Sequence, residues 1–128
     1  MKKKILIVVA SYYENIANSL LKSAKNKIKN KCIIKVINVP GAFEIPVTIS
    51  KNLNKFNGFI ALGCVIKGQT PHFDFISKST TDALMMLSIT SKKPVGNGVI
   101  TCLNKKQAIA REKKGSEAAD AVLSILFQ

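Results

Sequence analysis

Two short stretches, Ile5–Val9 and Phe59–Ile66, are apolar at almost every position. A strand with no polar face has nothing to offer water, so it must be covered on both sides, as strands of a parallel sheet are. Cys32–Val39 and Pro94–Thr101 are two further β-rich stretches. Helical spacing fills the gaps between them. Ile16, Leu20, Leu21, Ala24 and Ile28 recur at intervals of one helical turn, and Phe43, Val47, Ile49, Ser50 and Leu53 predict a second helix. Thr70-Pro71 predicts the start of a third, with threonine as N-cap and proline at the first helical position. Its inward face is expected to carry Phe73, Ile76, Ala83, Leu84 and Leu87. A fourth helix is predicted over Lys105–Ala110 and a fifth over Ser116–Leu126, with Ala119, Val122, Leu123 and Leu126 inward. This alternation predicts an α/β domain: a three-layer α/β/α sandwich on a four-stranded parallel sheet, joined by right-handed crossovers.

The chain has 128 residues, 47% hydrophobic and 21% charged. That is enough for one domain with its own core, residues 1–128, and too apolar for a disordered chain. Met1 and three lysines followed by Ile5–Ala10 resemble the first two regions of a secretion signal. The apolar run is shorter than the usual ~7–15 residues, however, and no stretch approaches the ~18–20 apolar residues of a membrane span. Cys32, Cys64 and Cys102 stand far apart in apolar segments. They lack the paired spacing of a zinc or redox site and fit reduced thiols of a cytoplasmic protein. The formal net charge is +13, which admits nucleic acid, an anionic membrane or phosphorylated ligands. Yet Arg111 is the sole arginine among 20 basic residues. Most of the lysines fall on predicted helix faces and loops, as a compositional bias would place them. With aromatics at 6% and no RNA-recognition motif, neither a nucleic-acid nor a membrane partner is expected.

Ligands in such sheets bind beyond the carboxyl ends of the strands, and the segments there are distinctive. Ala10-Ser-Tyr-Tyr-Glu-Asn15 follows the first strand, Val39-Pro-Gly-Ala-Phe-Glu-Ile-Pro46 the second, and Lys67-Gly-Gln-Thr-Pro-His-Phe-Asp74 the third. Gly68-Gln69-Thr70 precedes a helix, where free N–H groups and the helix dipole favour an anion; a capped turn without ligand reads equally well. His72 falls in the first turn of that helix, whose positive end favours a neutral imidazole. Glu44 is either a helix-start acid or an acceptor for ligand hydroxyls. Tyr12 and Tyr13 are either edge packing or a stacking face for a flat heterocycle. The Arg111 fork suits phosphate, with Lys114 within one turn and Lys67 beside the glycine turn. Cys64 lies mid-strand, so its thiol is expected to be buried and inert rather than paired with His72 as a nucleophile.

Together these segments resemble the lumazine synthase family over nearly the whole chain. The most specific parts are Val39–Pro46 and Ala61–Asp74; Gln107–Arg111 and Lys114–Ala119 are a weaker third. The resemblance implies a flavodoxin-like fold. It also implies a reaction in which 5-amino-6-(ribitylamino)uracil condenses with 3,4-dihydroxy-2-butanone 4-phosphate to give 6,7-dimethyl-8-ribityllumazine, phosphate and water, with no metal or organic cofactor. It assigns Tyr12 to stacking on the pyrimidine, Ala42 and Glu44 to the ribityl chain, Phe43 to substrate binding, and Cys64, Val65 and Ile66 to the ring. Gly68, Gln69 and Thr70 match a phosphate loop, and His72 a proton-transfer residue. Arg111 matches a phosphate anchor, and Lys114 a lysine near the ring. Arg111, Lys114 and Asn97 are implied to reach in from a neighbouring subunit, so the site implies a homo-oligomer, a pentamer or an assembly of pentamers, with riboflavin synthase as a further partner. The chain departs from the family in Ser11, where an arginine is common, in Asn97, where many members carry a hydrophobic residue, and in a shorter stretch from Arg111 to Lys114. Two other classes stay open at this stage: a non-catalytic lumazine- or flavin-binding shell protein, and a basic nucleic-acid-binding module.

Overall fold

The computed structural model describes residues 2–68 and 71–128; Gln69 and Thr70 lie outside the described residues. The chain runs β1 (Lys3–Ala10), α1 (Glu14–Ile28), β2 (Cys32–Val39), a 3-10 turn (Ala42–Glu44), α2 (Ile45–Lys51), β3 (Gly58–Ile66), α3 (His72–Ser91), β4 (Val95–Cys102), α4 (Lys105–Ala110) and α5 (Lys114–Leu126). The four strands form one parallel sheet in the order β2-β1-β3-β4. The expected architecture is therefore present, with helices on both faces of the sheet.

β1 shows why its sequence has no polar face. Successive side chains of a strand point to opposite sides. Ile5, Ile7 and Val9 enter a core with Leu20, Ala24 and Ile28 of α1 and Ala119 and Val122 of α5. Leu6, Val8 and Ala10 enter a second core with Ile45 and Ile49 of α2 and Leu84 of α3. The outer strands need less cover, and their burial alternates. Along β4, Gly96, Gly98, Ile100 and Cys102 are buried while Asn97 and Thr101 are exposed.

Two glycines let α5 sit where it does. A Cβ on Gly115 would lie 2.2 Å from the Leu20 carbonyl oxygen of α1, and one on Gly96 would lie 2.3 Å from the Ala118 carbonyl oxygen. Both contacts are with backbone, so no side-chain rearrangement relieves them.

Local chemistry sets the ends of several helices. α4 begins with a reciprocal cap: the Asn104 side chain accepts from the Gln107 N–H at 2.9 Å, and the Gln107 side chain accepts from the Leu103 N–H at 2.8 Å. Such a pair satisfies donors that the first turn leaves unpaired. α1 carries Glu14 in its first turn and Lys25 and Lys27 in its last, which complements the helix dipole. α3 ends on Lys92 with φ 59°, the one non-glycine residue at positive φ among those described.

Two local expectations need correction. Of the stripe expected for the second helix, Ile49 is buried and Leu53 half-buried, but Phe43, Val47 and Ser50 are exposed and Ile45 is buried instead. Two apolar stripes of i,i+4 spacing compete here. The 3-10 turn and Pro46 at the helix start rotate the Ile45–Ile49 stripe onto Leu6, Val8 and Ala10. The third helix begins at His72 with Pro71 in the capping position, one residue later than expected. Its inward face holds as read, with Leu84 buried and Phe73, Ile76, Ala83 and Leu87 half-buried, while Phe75, Met85, Met86 and Ile89 are exposed.

Candidate functional site

The sheet order puts β1 beside β3 while the chain first leaves β1 for β2. The connections after β1 and β3 therefore diverge and open a crevice at the carboxyl edge. The two strands approach closely there: a Cβ on Gly63 would lie 3.0 Å from that of Ala10. A cleft of about 590 Å³ occupies this crevice. Tyr12 enters it from the end of β1, Ala42, Phe43 and Glu44 from the 3-10 turn, Cys64, Val65 and Ile66 from the last three residues of β3, and His72 from the start of α3. Eight of the residues that the family resemblance assigns to the site thus line one cleft. Gly41, Tyr13 and Ile76 line it as well. Ile76 was legible only as helix core, although it lies four residues after His72 and so on the same helical face.

Most of the cleft is held from beneath by the cores. Ala42 and Cys64 are buried, and Glu44, Val65 and Ile66 are half-buried. The Glu44 carboxylate lies back over the preceding turn, so that a Cβ on Gly41 would meet its Oε1 at 3.2 Å. The Glu44 N–H donates to the Gly41 carbonyl at 3.2 Å, and the Thr48 hydroxyl donates to the Glu44 carbonyl at 2.9 Å. These bonds fix the backbone that carries the carboxylate. The Tyr12 ring is 75% exposed at the mouth and meets the Tyr13 ring edge-on, with centroids 4.9 Å apart and planes at 82°. Ser11 hydrogen-bonds the Asn38 side chain at 3.1 Å, tying the ends of β1 and β2 together.

Burial, reinforced by the neighbouring Cys102 thiol, pushes the Cys64 thiol up to about 12. It stays protonated at neutral pH, as expected for an inert thiol, and is no candidate nucleophile. A raised thiol pKa contributes stability that is present below the ordinary value of 9.0 and lost as pH climbs toward 12. Cys64→Ala is therefore expected to keep turnover within about threefold of the parent between pH 6 and 8, measured as initial rate. A loss of activity beyond a hundredfold in a folded variant would show that the thiol takes part.

Beyond the cleft, Lys67 donates its N–H to the Cys102 carbonyl at 2.9 Å, and Gly68 is exposed. A Cβ on Gly68 would meet nothing within 4 Å, so nothing among the described residues requires glycine there. The remaining residues of the phosphate turn, Gln69 and Thr70, lie outside the described residues. Among the described residues, no group of three His, Cys, Asp or Glu side chains is placed to hold a metal ion.

Arg111, Lys114 and Asn97 are not in this cleft. They line another, of about 670 Å³, formed by β4, the α4–α5 junction and Thr81 of α3. Arg111 caps the end of α4, and its Nη1 donates to the Thr101 carbonyl at 3.1 Å. Lys114 sits 4.0 Å from the Glu117 carboxylate, and the Asn97 side chain accepts from the Val99 N–H at 3.0 Å. Among the described residues of one protomer the two clefts share no lining residue.

The sequence matches the 6,7-dimethyl-8-ribityllumazine synthase family over residues 2–128. It is 40% identical to the 6,7-dimethyl-8-ribityllumazine synthase of Agrobacterium fabrum, over 98% of this chain and 93% of that protein. The corresponding protein of Bartonella tribocorum is also 40% identical, over 98% and 91%. That of Methylorubrum extorquens is 39% identical, over 96% and 79%. The chain belongs to the lumazine synthase family. Every element from β1 to α5 lies within the matched residues, and so do the lining residues of both clefts. No helix among the described residues is long and apolar enough to cross a membrane.

Proposed function

We propose that the chain carries out the reaction its family is named for, the penultimate step of riboflavin biosynthesis. In this reading the 5-amino group of 5-amino-6-(ribitylamino)uracil attacks the carbonyl carbon of 3,4-dihydroxy-2-butanone 4-phosphate. Water leaves as the C=N bond forms. Loss of the proton from the adjacent carbon gives an enamine whose electrons expel phosphate. The resulting enol becomes a second carbonyl, and the ribitylamino nitrogen closes the ring on it with loss of another water. The observation that carries this reading is one cleft gathering Tyr12, Glu44, the β3 end and His72 in a chain whose family match spans residues 2–128.

Each step asks for positioning and proton transfer. Tyr12 offers a flat face for the pyrimidine, Ala42, Phe43 and Glu44 receive the ribityl chain, and backbone groups of Cys64, Val65 and Ile66 meet the ring edge. His72 moves protons during imine formation and tautomerisation. Gly68, Gln69 and Thr70 together with Arg111 hold the phosphate, and cationic and N–H donors there ease its departure. Lys114 and Asn97 border the ring from the Arg111 side. Holding both reactants together supplies much of the rate.

A single protomer keeps the His72 and Arg111 clefts apart, which supports a site completed by a neighbouring copy. Val47 on α2 and Met85, Met86 and Ile89 on α3 are exposed, and apolar surface of this kind supports burial between copies. The assembly read from this is a homo-oligomer, a pentamer or an assembly of pentamers, with riboflavin synthase as a further partner. Three free, buried cysteines support a reducing, cytoplasmic setting.

The test is His72→Ala with both substrates. His72 is exposed, so water can relay protons in its place, and the expected loss in kcat is about 10- to 100-fold, at the low end for a general acid–base residue. The oligomer should persist in size-exclusion chromatography. An unchanged kcat across pH 6 to 8 would remove His72 from proton transfer.

A further inference from the structure

We infer that Tyr13 is a positioning residue that sets the plane of the Tyr12 ring for stacking on the pyrimidine. This rests on the functional reading above and adds to it how the stacking ring is held. Tyr12 is three-quarters exposed, and the ring contact recorded for it is the edge-on pair with Tyr13. An aromatic platform with one ring face in solvent gains little from stacking unless its attitude is already set, because ordering it on binding costs affinity.

Tyr13 is held by independent constraints. Its backbone caps α1, and its carbonyl accepts the Ala17 N–H at 2.9 Å, which fixes where the side chain starts. Its ring packs against the core shared by α1 and α5. The Lys105 ammonium from the start of α4 lies over the ring face, 5.9 Å from the centroid, within the range of a cation–π contact. Burial, with Tyr12 and Cys64 nearby, raises the Tyr13 phenol above its ordinary range, so the ring stays neutral through physiological pH. Tyr13 also lines both the His72 cleft and a second one of about 370 Å³ between α1 and α4. Truncating it would remove the ring that Tyr12 meets edge-on.

The experiment titrates the pyrimidine substrate, under anaerobic conditions, into the parent oligomer and into Tyr13→Phe and Tyr13→Leu. Leucine preserves apolar packing against the core and removes the flat edge; phenylalanine preserves the ring and removes the hydroxyl. An edge-on aromatic pair corresponds to about a 3- to 10-fold change in an equilibrium constant. Tyr13→Leu is therefore expected to weaken pyrimidine binding by about that factor, with the KM for the butanone phosphate unchanged and Tyr13→Phe close to the parent. Equal binding by Tyr13→Leu and parent would overturn the assignment alone, as would failure of Tyr13→Phe to rescue or an equal loss for both substrates. A folded parent that binds no pyrimidine would overturn the functional reading and this assignment with it.

Discussion

Arg111→Ala should raise the KM for 3,4-dihydroxy-2-butanone 4-phosphate on the order of 100-fold while leaving the KM for the pyrimidine within about threefold. The guanidinium is the one arginine fork in the chain, and it gives two parallel donors to a phosphate where lysine gives a point charge. Its Nη1 already donates to the Thr101 carbonyl, which holds the head group at the carboxyl edge of β4 and limits the ordering still required when phosphate binds. Arg111→Lys should recover only part of the loss. The comparison of the two KM values matters more than either alone: a loss spread evenly over both substrates would mean that the fold, not the phosphate subsite, had been damaged. A KM for the phosphate substrate unchanged in Arg111→Ala would remove Arg111 from the site.

Gly115→Val should prevent the chain from folding, and Gly115→Ala should lower the melting temperature by about 10 °C or more. Replacing glycine by alanine in a helix ordinarily gains up to about 1 kcal/mol. Here the added Cβ would stand 2.2 Å from the Leu20 carbonyl oxygen and 3.1 Å from its carbon. Overpacking against side chains costs about 1–3 kcal/mol, and this contact is with backbone. It yields only if α1 and α5 part, which loosens Leu20, Ala24, Ala119 and Val122 together. About 3 kcal/mol net is a large fraction of the 5–15 kcal/mol that holds a typical domain. Thermal unfolding followed by circular dichroism measures it; an unchanged melting temperature for Gly115→Ala would mean that the two helices do not cross as closely as described.

How much of this could be read beforehand differs from element to element. The strands were legible because burial on both faces leaves no polar position: Leu6 and Ile7 point to different cores, yet both must be apolar. The phase of α2 was not legible, because Phe43–Val47 and Ile45–Ile49 are equally good stripes, and only the 3-10 turn decides between them. The cleft residues were legible from their places just beyond strand ends, which is why Tyr12, Glu44 and His72 come together though they are far apart in the chain. Gly41, Tyr13 and Ile76 were harder to assign because each also has an ordinary structural use, in a turn, a cap or a core. Arg111 and Lys114 stand at the same sheet edge but in their own cleft, and no local pattern in the sequence says which cleft a residue will line. The +13 charge is informative at few positions. Among the described residues its ion pairs, Lys27–Asp120, Lys78–Asp82 and Lys114–Glu117, are exposed or nearly so and add little to stability.

The central claim is that this chain joins the two substrates into a lumazine. Mixing purified protein with 5-amino-6-(ribitylamino)uracil and 3,4-dihydroxy-2-butanone 4-phosphate, and following lumazine absorbance beside released phosphate, tests it most directly. The account predicts product and phosphate in equal amounts at a rate well above that of the mixture without protein. A folded protein that leaves that background rate unchanged would contradict it.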